Sequence, residues 1–253
     1  MSLKAIRSKT QLKPPKLVLY GGAGIGKTSF AASMNKPIFL LTEDGMGKIQ
    51  CDHFPVSKDY DSFIENLNSL LEEDHEYATL CVDSLDWLEP LVWEKVCNIH
   101  GKKSIEEFGY GRGYVEALKQ WREYIDVLNR LRDEKKMTII QIAHSQIKRF
   151  ESPEIEAYDR YELKLHRKAS DLILEHSDCC FFANYKFGSV KIKGKGGQTT
   201  SKAIQGERML YTEAKPAFLA KNRYGLPEEM PFDWQEIRSG ISKNQAQALI
   251  NKG

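Results

Sequence analysis

The sequence lacks long apolar runs, paired cysteines and a strong net charge, and each absence excludes a class of protein. No stretch of about 18 apolar residues occurs, so we do not expect a membrane-spanning chain. The five cysteines show no CxxC spacing, so we expect reduced, structural cysteines and no zinc site. A net charge of +2 is too small to indicate nucleic-acid binding from bulk charge, so any such signal must be local.

The chain is long enough for one substantial α/β domain. Its 253 residues predict a single core in residues 16–238, after a basic arm in 1–15 and before a tail or short helix in 239–253. The arm has no apolar segment of the kind found in secretory signals. We therefore expect a cytoplasmic location.

Short apolar runs alternate with stretches of helical periodicity. The predicted strands are 16–20, 37–42, 78–82, 137–143 and 178–185, and the predicted helices are 28–34, 60–71, 114–132 and 163–175. A polar segment follows the fourth strand. Residues 188–206 have the composition of a hairpin tip, and the runs on either side of them are predicted to be the hairpin arms. The predicted fold is α/β, with a mainly parallel central sheet flanked by helices and a β-hairpin region near the C-terminus.

Residues 21–28, GGAGIGKT, lie between the first predicted strand and the first predicted helix. In the pattern G-x-x-x-x-G-K-[ST], backbone N–H groups surround the phosphates, the lysine reaches the β- and γ-phosphates, and the hydroxyl ligates magnesium. This motif predicts that the chain binds ATP with Mg²⁺. The predicted nucleotide-binding residues are Gly21, Gly22, Ala23, Gly24, Ile25, Gly26, Lys27, Thr28 and Ser29.

Two carboxylates are expected to complete this site. Asp83 ends the strand TLCVD and is predicted to hold magnesium with Thr28, with Asp86 as a local alternative. Hydrolysis also needs a carboxylate that positions the attacking water. AAA+ proteins normally carry a glutamate directly after this aspartate, but Ser84 stands there, which argues against that class and transfers the role to Glu43.

Three segments resemble parts of RecA-type ATPases. FLLTEDG, which contains Glu43, resembles the segment with the catalytic glutamate, and VDS at 82–84 is similar to the magnesium-binding strand. IAHSQIKRF at 142–150 resembles the strand with the γ-phosphate sensor, which implies Gln146 in that role, with His144 as the alternative. The resemblance covers residues 16–232 and implies a RecA-like core.

The segment AKNRYGLPEE resembles the KNRFG-like segment of RadA proteins and replicative helicases. The resemblance implies that Lys221 and Arg223 reach the γ-phosphate bound by a neighbouring subunit, as an arginine finger does. It therefore implies a homo-oligomer, either a ring or a filament, with ATP at the subunit interfaces.

The short layout resembles phage ATPases of the RecA superfamily that assist recombination and single-strand annealing. This resemblance implies single-stranded DNA as a partner, together with a single-stranded-DNA-binding protein, in the host cytoplasm. Residues 97–113 and 146–162 are the predicted DNA loops, because cations beside aromatic rings suit single strands. The predicted contacts are Lys102, Lys103, Tyr110, Arg112, Lys148, Arg149, Phe150 and Arg160.

Other functions remain open for the same motif. A P-loop kinase would share the phosphate loop but would need an arginine-rich lid and an acceptor pocket, and neither is clear in the sequence. A helicase-loader-like protein would use ATP as an assembly switch. Residues 191–202 form a third basic segment, predicted to be either a DNA-contacting hairpin tip or a solvated turn.

Overall fold

A computed structural model describes residues 12–152, 156–193 and 199–250. Most of the predicted basic arm, residues 1–11, lies outside these residues, as do 194–198 at the predicted hairpin tip and 251–253 at the C-terminus. The third basic segment, 191–202, lies outside the part of the chain whose side chains the structure describes.

The described residues contain one sheet of ten strands and six α-helices. The strands are β1 (Lys16–Gly21), β2 (Pro37–Leu41), β3 (Asp52–His53), β4 (Thr79–Asp83), β5 (Thr138–Phe150), β6 (Tyr158–Leu163), β7 (Cys179–Lys193), β8 (Thr199–Tyr211), β9 (Lys221–Asn222) and β10 (Glu229–Pro231). The helices are α1 (Lys27–Ala32), α2 (Tyr60–Glu72), α3 (Leu85–His100), α4 (Arg112–Glu134), α5 (Arg167–His176) and α6 (Trp234–Ile250).

The strand order is β10-β8-β7-β1-β5-β4-β2-β3, with β6 paired to β5 and β9 paired to β7. All pairs from β7 across to β3 are parallel, whereas β8, β10, β6 and β9 join antiparallel. The predicted α/β fold with a mainly parallel sheet and a C-terminal hairpin region is confirmed. The hairpin consists of β7 and β8.

The register of the parallel strands places the predicted catalytic segments at one edge. Gly21 on β1 pairs with His144 on β5, and Leu41 on β2 pairs with Asp83 on β4. Carboxyl ends of parallel strands form the usual ligand crevice of an open α/β sheet. The phosphate loop, Asp83 and Glu43 therefore lie at or just after the carboxyl ends of β1, β4 and β2, on the same side of the sheet.

Alternate residues of β1 enter two hydrophobic layers, as the two-residue period of a strand requires. Val18 and Tyr20 pack in the layer that contains the buried faces of α2, α3, α4 and α5. Leu17 and Leu19 pack in the layer that contains the buried residues of α1 and α6. Helices therefore cover both faces of the sheet. None of the helices in the described ranges is long and apolar enough to cross a membrane.

The structure differs from the sequence prediction at three longer elements, besides the short strands β3, β9 and β10, which were not predicted. Helix α3 was not predicted, and its C-terminal part occupies the start of the predicted loop 97–113. Strand β5 continues to Phe150 and pairs with β6, so 146–150 and 158–162 of the predicted loop are the arms of a hairpin, while 153–155 lie outside the described residues. Helix α6 crosses the predicted boundary at 238 because Ile237 and Ile241, one helical turn apart, are both buried in the core.

Candidate functional site

The phosphate loop connects β1 to α1 in the conformation that its glycines allow. Gly24 and Gly26 have φ values of 75° and 103°, in the region that favours glycine. A Cβ atom on Gly26 would lie 2.6 Å from Nη1 of Arg208. The side chain of Ile25 is buried in the core, so the loop is anchored at its centre.

The side chain of Lys27 lies inside the loop. Its Nζ donates to the carbonyl oxygens of Gly21 at 3.1 Å and Gly22 at 3.0 Å. Burial lowers the pKa of Lys27, and the nearby carboxylate of Asp83 opposes that shift. An ammonium group held among backbone carbonyls at the loop is placed to exchange these partners for phosphate oxygens.

The loop, β2, β4 and β5 enclose a cleft of about 340 Å³. Its lining includes most of the residues predicted from the motifs: Gly24, Gly26, Lys27, Thr28, Ser29, Glu43, Asp83 and His144. Gly45 and Ile49, which follow β2, also line it and were not predicted. One cleft therefore brings together residues that are more than 100 positions apart in the chain.

Thr28 and Asp83 are in direct contact. The Thr28 hydroxyl donates to Oδ2 of Asp83 at 2.7 Å. Asp83 is only 5% exposed, and burial raises its pKa while the hydrogen bond from Thr28 lowers it. Two oxygen donors thus converge at the cleft, as a hard cation such as Mg²⁺ requires.

The carboxylate of Glu43, which lines the cleft, is held by Ser84. The Ser84 hydroxyl donates to Oε1 of Glu43 at 2.8 Å. Ser84 is itself fixed by Thr42, whose hydroxyl donates to the Ser84 carbonyl at 2.7 Å and accepts from its N–H at 2.8 Å. Ser84 stands where AAA+ proteins have a glutamate, and here it orients Glu43, which follows the neighbouring strand β2.

Of the two residues predicted as phosphate sensors, His144 lines the cleft. Gln146 does not, because its amide Nε2 donates to the Leu163 carbonyl at 2.6 Å and lies 3.3 Å from that of Leu165. His144, the alternative, is therefore the candidate whose side chain reaches the cleft, and the sensor role itself stays a prediction. Strand β5 reaches the level of the phosphate loop two residues earlier, at His144.

Lys221 and Arg223 lie away from the cleft of their own chain. Arg223 lies 3.4 Å from Asp178, and the N–H of Asp178 donates to the carbonyl of Lys16 at the start of β1. At the usual rise per strand residue, Lys16 is roughly 16 Å from Gly21, where the phosphate loop begins. Nζ of Lys221 donates to the carbonyls of Leu174 and Glu175 at 2.6 and 3.0 Å, at the end of α5. Lys221 therefore already has a structural role, whereas the side chain of Arg223 is 55% exposed.

The predicted DNA segment 97–113 joins α3 to α4. The rings of Trp93 on α3 and Tyr114 on α4 lie 5.5 Å apart, and His100 approaches Glu116 at 3.9 Å. A 3-10 helix at Ile105–Phe108 lies between them. The predicted contacts Lys102, Lys103, Tyr110 and Arg112 are all exposed there, and Tyr110 is fully exposed at 103%.

The predicted contacts on β5 and β6 already have partners within the protein. The guanidinium of Arg160 lies 3.8 Å from the ring centroid of Phe150 and donates to Glu162 at 2.6 Å. Arg149 lies 3.8 Å from Asp159, and Lys148 donates to the Leu165 carbonyl at 3.3 Å. These contacts reduce the capacity of the β5–β6 hairpin to bind phosphates, compared with the segment between α3 and α4.

Arg208 on β8 contacts the phosphate loop and was missed in the sequence. Its Nη1 donates to the carbonyl of Ile25 at 3.2 Å, and the guanidinium lies 5.2 Å from the ring centroid of Phe232. The surrounding residues, GERML, form no nucleotide-binding motif. Only the antiparallel pairing of β8 to β7 brings Arg208 to the loop.

Comparison with known proteins identifies a domain family. A family profile described as an AAA domain matches residues 13–224, which is most of the chain. No curated protein matches the chain.

Proposed function

Because the chain belongs to the AAA domain family, we propose that its P-loop site works as a RecA-like ATPase that binds single-stranded DNA in phage-type recombination or strand annealing. The family match contradicts the inference from Ser84 that the chain is outside the AAA class. Ser84 alone does not exclude an AAA-type domain. The observation that carries the RecA-like proposal is the hydrogen bond between Ser84 and Glu43. This bond supports the proposal because it orients Glu43, which follows β2, and RecA-type ATPases have their water-activating carboxylate after the corresponding strand.

The side chains in the cleft have separate roles in ATP hydrolysis. Lys27 binds the β- and γ-phosphates through its ammonium group, and the N–H groups of the loop bind the remaining oxygens. Glu43 accepts a hydrogen bond from the attacking water and orients it toward the γ-phosphorus. His144 also lines the cleft, where its ring would contact the γ-phosphate. The chain thus supplies positioning and charge, which phosphoryl transfer mainly needs.

Thr28 and Asp83 are the residues that would hold magnesium. Their oxygens lie 2.7 Å apart, and oxygen donors of this kind fit Mg²⁺. When bound, the ion would neutralise part of the charge on the β- and γ-phosphates.

Single-stranded DNA would bind at the segment between α3 and α4. Its exposed Lys102, Lys103 and Arg112 can neutralise phosphates, and the ring of Tyr110 can stack on a base. The neighbouring Glu106 and Glu107 reduce the net positive charge of the segment. Salt screens the remaining contacts between cations and phosphates, so binding is expected to be strongest at low salt. Arg149 of the β5–β6 hairpin would add a weaker contact.

The proposed oligomer completes the ATP site. Arg223 is half-exposed and lies far from its own cleft, as a finger that acts on a neighbouring subunit would. Lys221 is less suited to this role, because its ammonium group stabilises the end of α5. A ring or a filament would satisfy this geometry, and a single-stranded-DNA-binding protein remains a proposed partner.

ATP turnover with and without single-stranded DNA tests the proposal. We expect hydrolysis that single-stranded DNA stimulates, and DNA retention on filters at low salt. Glu43→Gln should keep nucleotide binding and reduce turnover by at least about 100-fold. Asp44→Asn is the matched control, because Asp44 is the neighbouring exposed carboxylate and does not line the cleft. Hydrolysis indifferent to DNA, together with no DNA retention, would remove the recombination function.

A further inference from the structure

A second aspartate lies beside the cleft without lining it. Asp86 is in the first turn of α3, three residues after Asp83, and its side chain is 1% exposed. Its carboxylate binds His144 at two points: Oδ1 accepts the backbone N–H at 2.9 Å, and Oδ2 lies 2.9 Å from the ring Nδ1. A buried carboxylate therefore holds both the main chain and the ring of one cleft residue.

This contact determines which nitrogen of His144 faces the cleft. A carboxylate at Nδ1 favours the tautomer that carries its proton there, and so leaves Nε2 for a ligand. The ring of His144 is 26% exposed and borders the cleft with Lys27, Thr28 and Asp83. The ring cannot rotate away without losing its hydrogen bond to a buried charge, and the bond to the backbone N–H fixes the main chain that carries the ring.

We propose that Asp86 is a positioning residue for ATP hydrolysis, which holds His144 so that its Nε2 contacts the γ-phosphate. This inference rests on the proposed ATPase function. Asp86 acts through His144 and does not touch the nucleotide.

Two other roles for Asp86 fit the geometry less well. A metal ligand would need a free oxygen at the cleft, but the carboxylate is occupied by His144, and Asp83 makes the contact with Thr28. Burial raises the pKa of Asp86, but the hydrogen bonds from the ring and the N–H of His144 outweigh this effect. The net shift lowers the pKa, so the carboxylate is ionised. A carboxylate that acted only on the dipole of α3 would not need the imidazole contact.

Glu89 on the same helix provides a matched control. It follows Asp86 by three residues, so both lie on one face of α3. Glu89 is 5% exposed, and both of its carboxylate oxygens accept the backbone N–H of His166, at 2.9 and 3.0 Å, just before α5. It is a second buried carboxylate on α3 that binds a histidine backbone, but that histidine is outside the cleft.

The test compares Asp86→Asn, His144→Ala, the double variant and Glu89→Gln. ADP binding, binding of a non-hydrolysable ATP analogue and single-turnover hydrolysis are measured with Mg²⁺, together with thermal unfolding. We expect Asp86→Asn to reduce the hydrolysis rate about 10- to 100-fold with ADP affinity unchanged. His144→Ala should give a similar loss, and the double variant should lose no more than His144→Ala does. Glu89→Gln should hydrolyse ATP at the wild-type rate.

Additive losses in the double variant would overturn the proposal, as would equal losses of ADP and ATP-analogue affinity. A loss of hydrolysis in Glu89→Gln equal to that in Asp86→Asn would overturn it too. If Asp86→Asn does not fold, Asp86→Glu keeps the charge and moves the carboxylate by one methylene. Hydrolysis by Asp86→Glu should be reduced, and a wild-type rate would show that position does not matter. If the wild-type chain neither binds nor hydrolyses ATP, the proposed function itself fails, which differs from a hydrolysing wild type with a fully active Asp86→Asn.

Discussion

The hydroxyl of Ser84 shows how much of the cleft depends on one small side chain. Ser84 is fully buried and joins Thr42, Glu43 and the end of β4. We predict that Ser84→Ala lowers the rate of ATP hydrolysis about tenfold, because Glu43 then samples other rotamers. Nucleotide affinity should not change. Rate and affinity are measured by steady-state hydrolysis and by equilibrium binding.

Ser57→Ala is the control for this prediction. Ser57 is also buried, but its hydroxyl has no hydrogen-bond partner in the described part of the chain, and it does not line the cleft. Wild-type hydrolysis by Ser84→Ala would show that Glu43 does not need the hydroxyl.

Glu89 makes stability depend on pH. Burial raises the pKa of Glu89 to about 7, from 4.5, although the N–H of His166 opposes the shift. Between these values the unfolded chain ionises while the folded chain keeps the proton, so stability is lost as pH rises. The loss reaches about 3 kcal/mol above pH 7 by linkage. We predict that Glu89→Gln becomes more stable relative to wild type between pH 5 and pH 8 in denaturant titrations.

The control for the pH prediction is Glu134→Gln. Glu134 is exposed, and the hydrogen bond from Arg130 lowers its pKa below 4.5. Its substitution should therefore leave the pH dependence of unfolding unchanged between pH 5 and pH 8. A flat difference between Glu89→Gln and wild type across this range would show that Glu89 is ionised throughout.

The sequence motifs identified residues that line the cleft, but they did not decide between Gln146 and His144 as the phosphate sensor. The loop pattern and the strand ends gave Lys27, Thr28, Glu43 and Asp83, all of which line one cleft, because their spacing reflects local backbone requirements. Choosing between Gln146 and His144 needed the register of β5 against β1, which depends on long-range pairing. Arg208 depended on the same kind of pairing, between β7 and β8.

At the scale of elements, the segment between α3 and α4 carries the strongest prediction for DNA binding. Tyr110 is fully exposed, so its ring contributes little to stability. We predict that Tyr110→Ala weakens binding of single-stranded DNA by about 1–3 kcal/mol, because one base loses its stacking partner. Fluorescence anisotropy at low salt measures the affinity, and the unfolding temperature should not change.

Trp87→Ala is the comparison variant, since Trp87 is an aromatic residue on the first turn of α3 with 51% exposure. It should bind DNA like the wild type. If both variants bind normally, aromatic stacking in this segment makes no contribution.

Helix α6 is part of the core. Ile241 is 4% exposed and packs with Trp234 and Ile237 in the layer below the sheet. We predict that Ile241→Ala lowers the free energy of unfolding by about 2–4 kcal/mol, measured by denaturant titration. Lys243→Ala, on an exposed position two residues later, should change it by less than about 0.5 kcal/mol. Equal stabilities would mean that residues 239–253 act as a separate tail.

The elements that sequence patterns missed share a physical reason. Helix α3 contains Pro90 and has apolar residues on several sides, because it packs against both α4 and the sheet. The β5–β6 hairpin is polar, so its strands lack the apolar alternation that marks a half-buried strand. Tertiary contacts, and not local patterns, stabilise both elements. Sequence patterns therefore gave no helix for α3 and a loop for the β5–β6 hairpin.

At the scale of the whole molecule, the central question is whether neighbouring chains complete the site. If Arg223 acts on the next subunit, Lys27→Ala and Arg223→Ala proteins are each inactive but damaged in different halves of an interface. We predict that an equal mixture recovers about a quarter of wild-type hydrolysis, since random assortment pairs an intact loop with an intact finger in that fraction of sites.

The mixture should be annealed with nucleotide and assayed against each variant alone. Lys221→Ala should not be rescued in this way, because Lys221 stabilises the end of α5 within its own chain. No recovery in the mixture of Lys27→Ala and Arg223→Ala would place Arg223 outside the catalytic site.

Strand β5 passes from the core through the nucleotide cleft and into the β5–β6 hairpin without interruption. From His144 to Phe150 it extends roughly 20 Å at the usual rise per residue, with β6 hydrogen-bonded along this arm. Its pairing with β6 from Ser145 to Phe150 stiffens this arm against bending, so it would act as a lever with its pivot at the cleft. A small tilt of the strand at His144 would become a displacement of several ångströms at Phe150. A fluorophore on the outer face of the hairpin would therefore report whether the cleft holds ATP or ADP before any DNA is added.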